Sequence, residues 1–250
     1  MLSLFVFKEL KIMANIHMMG DSTMKRNNFY SYPQFGWGQG IESFVNDGVL
    51  VFNYAENGRS TKSFIDEGRF DILLSNLKKG DFVICSFGHN DEKKYDESRY
   101  TEPFGEYQKN LKYFKDEVEK RGCHIVYATS ITRHQFKDGV CVNSHGDYPK
   151  AMLEFARDNN VTCIDLNKLS IDLYNKLGEE ETKRFHMIYP AHTYFNNSEA
   201  KDDHSHLRNE GAIMMAYLFV SALSKTNDKL NELFIDLSKE NMVDYKMLID

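Results

Sequence analysis

The sequence has 250 residues, of which 42% are hydrophobic and 27% charged, with a formal net charge of -6. This is the composition of a soluble globular protein with a full core, and the acidic charge argues against nucleic acid or an anionic membrane as a partner. No run of residues approaches the roughly 20 apolar positions of a membrane-spanning helix. Residues 1–12 have neither the basic start nor the small-residue cleavage site of a signal peptide, so we expect a cytoplasmic protein.

Apolar runs alternate with helix-like patterns along the chain, which is typical of βαβ units on a parallel sheet. The predicted strands are residues 16–19, 49–54, 82–87, 124–128 and 161–165. The predicted helices are residues 41–46, 61–77 in two pieces, 103–121, 149–159, 166–177 and 208–224. The sequence therefore predicts an α/β fold with a mostly parallel five-stranded sheet. We expect one domain over residues 1–250, with a core of about 14–224 and a helical extension at 225–250.

Three stretches lie outside this pattern. The glycine-rich residues 36–40 are predicted to form a flexible loop. Residues 179–201 are polar and aperiodic, and they are predicted to form a long loop of the kind that is often functional. Residues 227–250 are charged with a weak apolar period, which indicates a helix on the surface.

Three polar clusters follow predicted strands, at the carboxyl edge where ligands bind in open α/β folds. They are Gly20-Asp21-Ser22, Gly58-Arg59-Ser60 and Gly88-His89-Asn90-Asp91. A fourth cluster, Asp203-His204-Ser205-His206, precedes the last predicted helix. Each alone is explained by a turn glycine or a helix cap. Four clusters that meet at one edge form a candidate site.

These clusters contain the parts that an acyl-transfer reaction requires. Ser22 is the predicted nucleophile, His206 the base, and Asp203 the carboxylate that fixes the imidazole tautomer. The N–H groups of Ser22 and Gly58 and the side-chain amide of Asn90 are the predicted donors to the oxyanion. If Ser22 opens a helix, its N–H has no partner within that helix.

Two histidines compete for the role of base. In an extended segment His204 and His206 point the same way, but a carboxylate three residues before His206 can reach back to its imidazole. One alternative is a metal site, because closely spaced acidic and histidine side chains can bind zinc. Its ligands would come from Asp202, Asp203, His204, His206 and His192. That site would leave the Ser22 cluster without a role, so we predict no metal and no cofactor.

In order and spacing, the four clusters resemble the four blocks of the SGNH (GDSL) hydrolase family over most of the chain. More narrowly, they resemble the rhamnogalacturonan acetylesterase branch, which removes acetyl groups from pectic polysaccharide. The resemblance implies a flavodoxin-like, three-layer α/β/α fold and no metal. It also implies catalytic roles for Ser22, Gly58, Asn90 and His206, with Asp203 as the third member of the triad.

The sequence departs from the family pattern beside the predicted site. Thr23 stands where the family has leucine, and Asp91 is followed by Glu92-Lys93-Lys94 rather than by small residues. The carboxylate of a pectic uronic acid would need cationic side chains of the protein as partners. Arg59 could be one of them, or it could instead stabilise the backbone around its own cluster. The residues assigned to substrate binding are Asp21, Lys25, Arg59, His89, Asp91 and Arg133.

We therefore expect an esterase that acts on an acetylated carbohydrate, with rhamnogalacturonan or another pectin as the leading substrate. Acetylated xylan, another acylated sugar, a lysophospholipid and a thioester are alternatives within the family. Loops rich in Asn, Lys, Arg, His and Tyr favour a sugar over an apolar acyl chain. A carbohydrate-binding protein without activity is the alternative from another class, and its expected sign would be a missing triad residue.

Overall fold

The structure, a computed structural model, describes residues 14–238 of the chain. Its strands are β1 (Ile16–Gly20), β2 (Val51–Asn53), β3 (Phe82–Ser86), β4 (His124–Ala128), β5 (Phe136–Lys137), β6 (Val140–Cys141), β7 (Cys163–Ile164), β8 (His186–Tyr189) and β9 (Lys201–Leu207). Its helices are α1 (Trp37–Gly40), α2 (Thr61–Asp66), α3 (Arg69–Asn76), α4 (Gln108–Lys120), α5 (Tyr148–Asp158), α6 (Leu166–Leu177), α7 (Glu179–Thr182) and α8 (Asn209–Leu223). The predictions for residues 1–12 and 239–250 lie outside the described residues.

Five strands form the predicted parallel sheet. Their order is β2-β1-β3-β4-β7, and every neighbouring pair is parallel. The apolar runs of β1 and β3 are almost entirely buried, as interior strands between two helical layers require. The two outer strands are shorter than predicted, because only residues 51–53 and 163–164 pair with a neighbouring strand.

Helices cover both faces of the sheet, so the fold has three layers. Side chains alternate along the strands: Ile16 and Met18 enter one hydrophobic cluster, and Met19 enters the other. The first cluster is dominated by α8, which is buried on nearly all sides, and the helices of the second are α2, α3, α4 and α5. The predicted α/β fold class is confirmed. Between residues 14 and 238, no helix is both long enough and apolar enough to cross a bilayer.

The glycine-rich residues 36–40 do not form the predicted flexible loop. They contribute to α1, which packs on α8 with the Trp37 side chain fully buried. A Cβ on Gly40 would lie 2.7 Å from the carbonyl oxygen of Ala212, so glycine lets the two helix backbones approach closely. The glycines in this stretch serve packing rather than mobility.

The predicted loop over residues 179–201 contains regular structure. It includes α7, a 3₁₀ turn at Lys183–Phe185, and β8, which pairs antiparallel with β9. Residues 203–206 therefore lie in a strand and not in a loop. The sequence of β9 is Lys-Asp-Asp-His-Ser-His-Leu, and its polar character conceals the strand from hydrophobic periodicity.

The segment after α8 belongs to the core as far as residue 238, which contradicts the described part of the surface helix predicted over residues 227–250. As far as residue 238, its regular structure is one 3₁₀ turn, Lys229–Leu233. Ile235 N donates to the carbonyl oxygen of Phe44 at 2.8 Å. The side chains that pack into the same cluster as α8 are Leu230, Leu233, Phe234 and Leu237. The core therefore extends beyond the predicted limit at residue 224.

Candidate active site

Ser22 lies two residues beyond the end of β1, at the carboxyl edge of the sheet. A Cβ on Gly20 would lie 2.5 Å from the carbonyl oxygen of Ser86 and 2.9 Å from Met24 Sδ, so the last residue of β1 has to be a glycine. The chain then turns, and Met24 N donates to the carbonyl oxygen of Asp21 at 3.1 Å. Ser22 thus lies in a turn and does not open a helix.

Asp21 stabilises this turn from the interior. Its Oδ1 accepts hydrogen bonds from the N–H and the hydroxyl of Thr23 at 2.9 and 2.8 Å, and its Oδ2 lies 3.3 Å from His89 Nδ1. Burial alone would raise the pKa of Asp21, but His89 and the Thr23 donors outweigh it and lower the pKa to about 2. Burial also lowers the pKa of His89 to about 4. At neutral pH the pair is an ionised Asp21 beside a neutral His89.

The structure brings Ser22, His206 and Asp203 into one hydrogen-bonded chain. His206 Nδ1 donates to Asp203 Oδ2 at 2.7 Å, which leaves Nε2 to accept from the Ser22 hydroxyl at 2.9 Å. Burial opposes ionisation of Asp203, but the hydrogen bond and charge of His206, with backbone donors, hold the pKa of Asp203 well below its usual range. A carboxylate that stays ionised keeps the imidazole in the tautomer that can accept a proton.

A bulge in β9 makes this arrangement possible. Asp203 pairs with Met187 and Leu207 with His186, so residues 204–206 lie opposite a single step of β8. The Asp203 carboxylate satisfies the backbone inside the bulge, since its Oδ1 accepts from the N–H groups of residues 205 and 206 at 2.9 and 3.0 Å. The extra residues fold the strand so that a carboxylate can contact an imidazole three positions later.

His204, the competing histidine, faces other partners. Its Nδ1 lies 2.9 Å from the carbonyl oxygen of His134 and 3.1 Å from His134 Nδ1. Its Nε2 lies 3.0 Å from Asp202 Oδ1. The structure therefore places His206, and not His204, at the Ser22 hydroxyl.

The three predicted oxyanion donors lie on loops that are tied to one another. Gly58 adopts a φ of +75°, which favours glycine, and the Asn90 side-chain amide donates to the carbonyl oxygen of Arg59 at 3.1 Å. Glu56 N donates to the carbonyl oxygen of Gly20 at 3.1 Å, which links this loop to the end of β1. Within residues 14–238, neither the Ser22 N–H nor the Gly58 N–H has an acceptor.

Asp91 is enclosed and does not reach the surface. Its Oδ1 accepts from Thr61 N at 3.0 Å and from the hydroxyls of Thr61 and Thr101 at 2.5 and 2.9 Å. Burial raises the pKa of Asp91 to about 7, although these hydrogen bonds oppose the shift. The substrate contacts predicted for Asp21, His89 and Asp91 are not supported, because all three side chains are buried and brace the turns around the site.

The three cations predicted to meet a substrate carboxylate already have acidic partners. Lys25 pairs with Glu56, Arg59 pairs with Glu67 at 2.9 Å, and Arg133 pairs with Glu92. Arg59 also donates to the carbonyl oxygen of Asn57 at 2.7 Å, which is the bracing role weighed for it from sequence. Each of the three cations therefore already contacts a carboxylate of the protein, and Glu67 is shared between Arg59 and Arg69, the latter at 2.7 Å.

Glu92 is a site residue that the sequence patterns did not single out for a role. Its carboxylate contacts both Arg133 and His145 Nδ1, the latter at 3.1 Å. Arg133 Nε in turn donates to Ser205 Oγ at 3.2 Å, inside the β9 bulge. Glu92 and Arg133 thus connect the loop after β3 to the strand that carries His206. The departure from small residues after Asp91 was the signal available in the sequence.

The residues proposed as alternative metal ligands do not converge. Across the described range, residues 14–238, no three His, Cys, Asp or Glu side chains are arranged to hold a metal ion. His204 turns towards His134, while Asp203 and His206 bond to each other.

Comparison with known proteins identifies the family of the chain. The model of the GDSL-like lipase/acylhydrolase family matches residues 16–219. Rhamnogalacturonan acetylesterase RhgT of Bacillus subtilis is 33% identical over 217 residues, which are 86% of this chain and 92% of that protein. The probable rhamnogalacturonan acetylesterase YesY of the same organism is 34% identical over 224 residues, 89% of this chain and 99% of that protein.

A solved structure shares the fold. The crystal structure of Bacillus subtilis protein YxiM superposes with a TM-score of 0.73 at 24% identity, covering 85% of this chain and 56% of that chain. The family resemblance predicted from the four sequence blocks is therefore confirmed. The chain belongs to the GDSL-like lipase/acylhydrolase family, a family of carboxylic ester hydrolases.

Proposed function

We propose that this protein is a serine esterase that removes acetyl groups from a plant cell-wall carbohydrate, with rhamnogalacturonan as the leading substrate. The observation that carries the proposal is the hydrogen-bonded chain from Ser22 Oγ through His206 to Asp203. Two relatives with rhamnogalacturonan acetylesterase in their names, each similar over more than four-fifths of the chain, support the choice of polymer.

In the first half of the reaction, Ser22 Oγ attacks the carbonyl carbon of the acetyl ester while His206 Nε2 takes the hydroxyl proton. The carbonyl π electrons move to the oxygen, and that oxyanion accepts hydrogen bonds from the Ser22 N–H, the Gly58 N–H and the Asn90 amide. Asp203 stabilises the imidazolium. The intermediate then collapses, the bond to the sugar oxygen breaks, and His206 returns the proton to that oxygen.

In the second half, water replaces the sugar. His206 Nε2 takes a proton from the water as its oxygen attacks the acetyl carbon on Ser22. The same three donors hold the second oxyanion. Collapse breaks the bond to Ser22 Oγ, which recovers its proton from His206, and acetic acid leaves and ionises in the solvent. The protein is unchanged, and one ester bond has been hydrolysed.

An exposed aromatic surface supports a carbohydrate substrate. Phe29, Tyr30 and Phe195 are 66%, 91% and 74% exposed, and the rings of Phe29 and Phe195 lie 5.2 Å apart. The chain leads from this surface to Phe35, whose N–H donates to the carbonyl oxygen of Leu207 at 2.9 Å, directly after His206. Large exposed apolar groups of this kind mark interaction surfaces, and flat rings suit the faces of sugars.

The cavities near the site support a short acyl group. One is lined by residues 57–59 together with polar and charged side chains of α2 and of residues 96–99. A second is lined by residues 92–95, Arg133 and His145. Such walls suit sugar hydroxyls better than a long alkyl chain, which would need an apolar channel.

The test is release of acetate from acetylated rhamnogalacturonan, homogalacturonan and xylan, with an aryl acetate as a small substrate and a lysophospholipid as a lipid substrate. We expect the highest kcat/KM on rhamnogalacturonan and no release by Ser22→Ala. Faster hydrolysis of xylan or of the lysophospholipid would overturn the proposal that rhamnogalacturonan is the substrate. Binding of the polymers without hydrolysis of any ester would overturn the proposal that the protein is an esterase, and would favour a carbohydrate-binding protein.

A further inference from the structure

His145 is a buried histidine in the loop between β6 and α5, and the mechanism given above does not use it. Its Nε2 lies 2.8 Å from the carbonyl oxygen of Ile131, and its Nδ1 lies 3.1 Å from Glu92 Oε2. Arg133 Nη1 is 3.4 Å from the same Nδ1, but it has a shorter contact, 3.0 Å, with the carbonyl oxygen of Ser144. Each ring nitrogen of His145 therefore faces an oxygen at hydrogen-bond distance.

These two contacts indicate that the His145 ring carries a proton on both nitrogens. A carbonyl oxygen and an ionised carboxylate can only accept hydrogen bonds, so each ring nitrogen has to donate. Burial opposes ionisation of Glu92, but the hydrogen bonds and charges of His145 and Arg133 outweigh it and lower the pKa of Glu92. His145 is therefore an imidazolium, and the Glu92 carboxylate contacts two cations at once.

His145 also contacts the residue that braces the turn at Ser22. The rings of His145 and His89 meet edge to face, with centroids 4.2 Å apart and planes at 65°. His89 Nδ1 in turn lies 3.3 Å from Oδ2 of Asp21, the residue before Ser22. Burial lowers the pKa of His89, the Asp21 charge opposes this shift, and the His145 charge adds to it. A charged His145 thus helps to keep His89 neutral.

On its other side, His145 is connected to the bulge in β9. The Glu92 carboxylate that accepts from His145 also contacts Arg133. Arg133 Nε donates at 3.2 Å to Oγ of Ser205, which is the residue before His206. His145 therefore lies between the turn that carries the proposed nucleophile and the strand that carries the proposed base.

We propose that His145 is a positioning residue, whose imidazolium ring holds the Ser22 turn and the β9 bulge in place relative to each other. This inference rests on the proposed function and extends it to a residue that touches neither the substrate nor the triad. A neutral ring has one N–H group and can donate to only one of Ile131 and Glu92. Without the bond from His145, the carboxylate that holds Arg133 would be less firmly placed, and so would the bulge.

The first test compares His145→Gln with a histidine variant outside the site. Glutamine carries no charge, so the imidazolium is lost. We expect kcat on an aryl acetate to fall by about tenfold with KM unchanged, because small displacements of a catalytic group are costly. His124→Gln is the matched control: His124 begins β4, at the opposite edge of the sheet, and pairs with Asp228 at 2.9 Å. It should keep the wild-type kcat even where urea unfolding shows an equal loss of stability.

A double-variant cycle separates positioning from a general loss of stability. His145→Gln and Arg133→Met interrupt the same series of contacts, so the double variant should be little worse than the more damaged single variant. Two independent losses of about tenfold would instead multiply to about a hundredfold. That product, an unchanged kcat in His145→Gln, or a loss confined to KM would overturn the inference.

NMR of protein with ¹⁵N-labelled histidine tests the inference without activity. At neutral pH the wild type should show two protonated nitrogens for His145 and ring signals of His206 that shift in Glu92→Gln but not in His124→Gln. Glu92 is only half-buried, so Glu92→Gln serves even if His145→Gln does not fold. A singly protonated His145, or His206 signals unaffected by Glu92→Gln, would overturn the inference. A wild type that hydrolyses no ester would overturn the proposed function, and the NMR result would still decide the placement of His206.

Discussion

The two ends of the Ser22–His206 hydrogen bond are held by different means. Ser22 follows a buried strand, at a point where Gly20 packs against the backbone of Ser86 and Asp21 is enclosed with its donors. His206 comes from a bulge in β9, and the side chains of His206 and Asp203 are 30% and 35% exposed. Core packing fixes the position of Ser22, the proposed nucleophile, whereas polar bonds near the surface fix the position of His206, the proposed base.

Because of this difference, we expect substitutions around Ser22 and substitutions around His206 to affect stability and activity differently. The sheet side of the site consists of the residues that follow β1, β2 and β3. A residue that supports the site there is surrounded by buried partners, so replacing it changes the free energy of unfolding. The hairpin side of the site consists of the antiparallel pair β8 and β9 and the side chains that bond to it. The bonds that orient the imidazole there are partly solvated and contribute little to stability. Substitutions there should change the rate while the folded state persists.

Removing either end of the hydrogen bond should have the largest effect. We expect Ser22→Ala and His206→Ala each to lower kcat on an aryl acetate by about 10⁴-fold or more, and the double variant to be little worse, because triad members act as a unit. Asp203→Asn should cost less than His206→Ala, because the carboxylate orients the base. Steady-state kinetics supply the rates, and losses that multiply in the double variant would contradict a shared mechanism.

Asn90→Ala should have the next largest effect. In the proposed mechanism it removes one of three donors to the oxyanion, so we expect kcat to fall by ~10²–10³ with little change in KM. Because the amide also donates to the carbonyl oxygen of Arg59, the free energy of unfolding should fall by about 1 kcal/mol. Kinetics and urea unfolding measure the two effects. A higher KM at unchanged kcat would make Asn90 a binding residue instead.

Arg133→Met tests the hairpin side. Arg133 bonds to Ser205 inside the bulge, so its loss should loosen His206 and lower kcat on a neutral aryl acetate by about tenfold, since small displacements of a catalytic group are costly. The free energy of unfolding should fall by about 1–2 kcal/mol, because the half-buried Glu92 carboxylate loses its guanidinium partner. Arg157→Met, which removes an arginine paired with Asp158 on the surface, is the matched control. A rise in KM for acidic sugars alone would restore the substrate contact predicted from sequence.

Asp91→Asn tests the sheet side through pH. The pKa of Asp91 is raised from 3.8 to about 7, so the native protein keeps a proton that the unfolded chain loses above pH 4. The stability of the wild type relative to Asp91→Asn should therefore fall as pH rises from about 4 to 7, by up to roughly 1.4 kcal/mol per pH unit. Urea unfolding of both proteins at pH 4.5, 6 and 7.5 measures this difference. A constant difference would mean that Asp91 is ionised throughout the range.

Much of the fold could be predicted because β1, β3 and β4 are apolar runs that end in polar residues. Their carboxyl ends define one edge of the sheet, and three of the four site blocks come after strands that end at that edge, namely β1, β2 and β3. β9 could not be predicted, because a strand whose residues are almost all polar has no apolar alternation. The segment after α8 has apolar residues at helical spacing, but spacing alone does not show whether such a face lies on the core or in water.

The site could be predicted in its residue types but not in its burial. The Asp-x-x-His spacing identified which histidine faces Ser22, and the β9 bulge supplies the physical reason. Nothing in the sequence distinguishes Asp91, enclosed by threonines, from a carboxylate that faces substrate. Burial depends on elements distant in the chain, and for the same reason the acidic partners of Lys25, Arg59 and Arg133 could not be foreseen.

The separation of Ser22 and His206 also has a consequence for synthesis of the chain. The two residues are 184 positions apart, and the core contacts of Leu230 and Leu237 are made later still. On the ribosome, β1, β3 and β4 emerge long before α8 and the segment that follows it can cover one face of the sheet. The nascent chain therefore exposes that apolar face and carries Ser22 without its hydrogen-bond partner His206. Hydrolytic activity begins only when the last part of the core has left the exit tunnel.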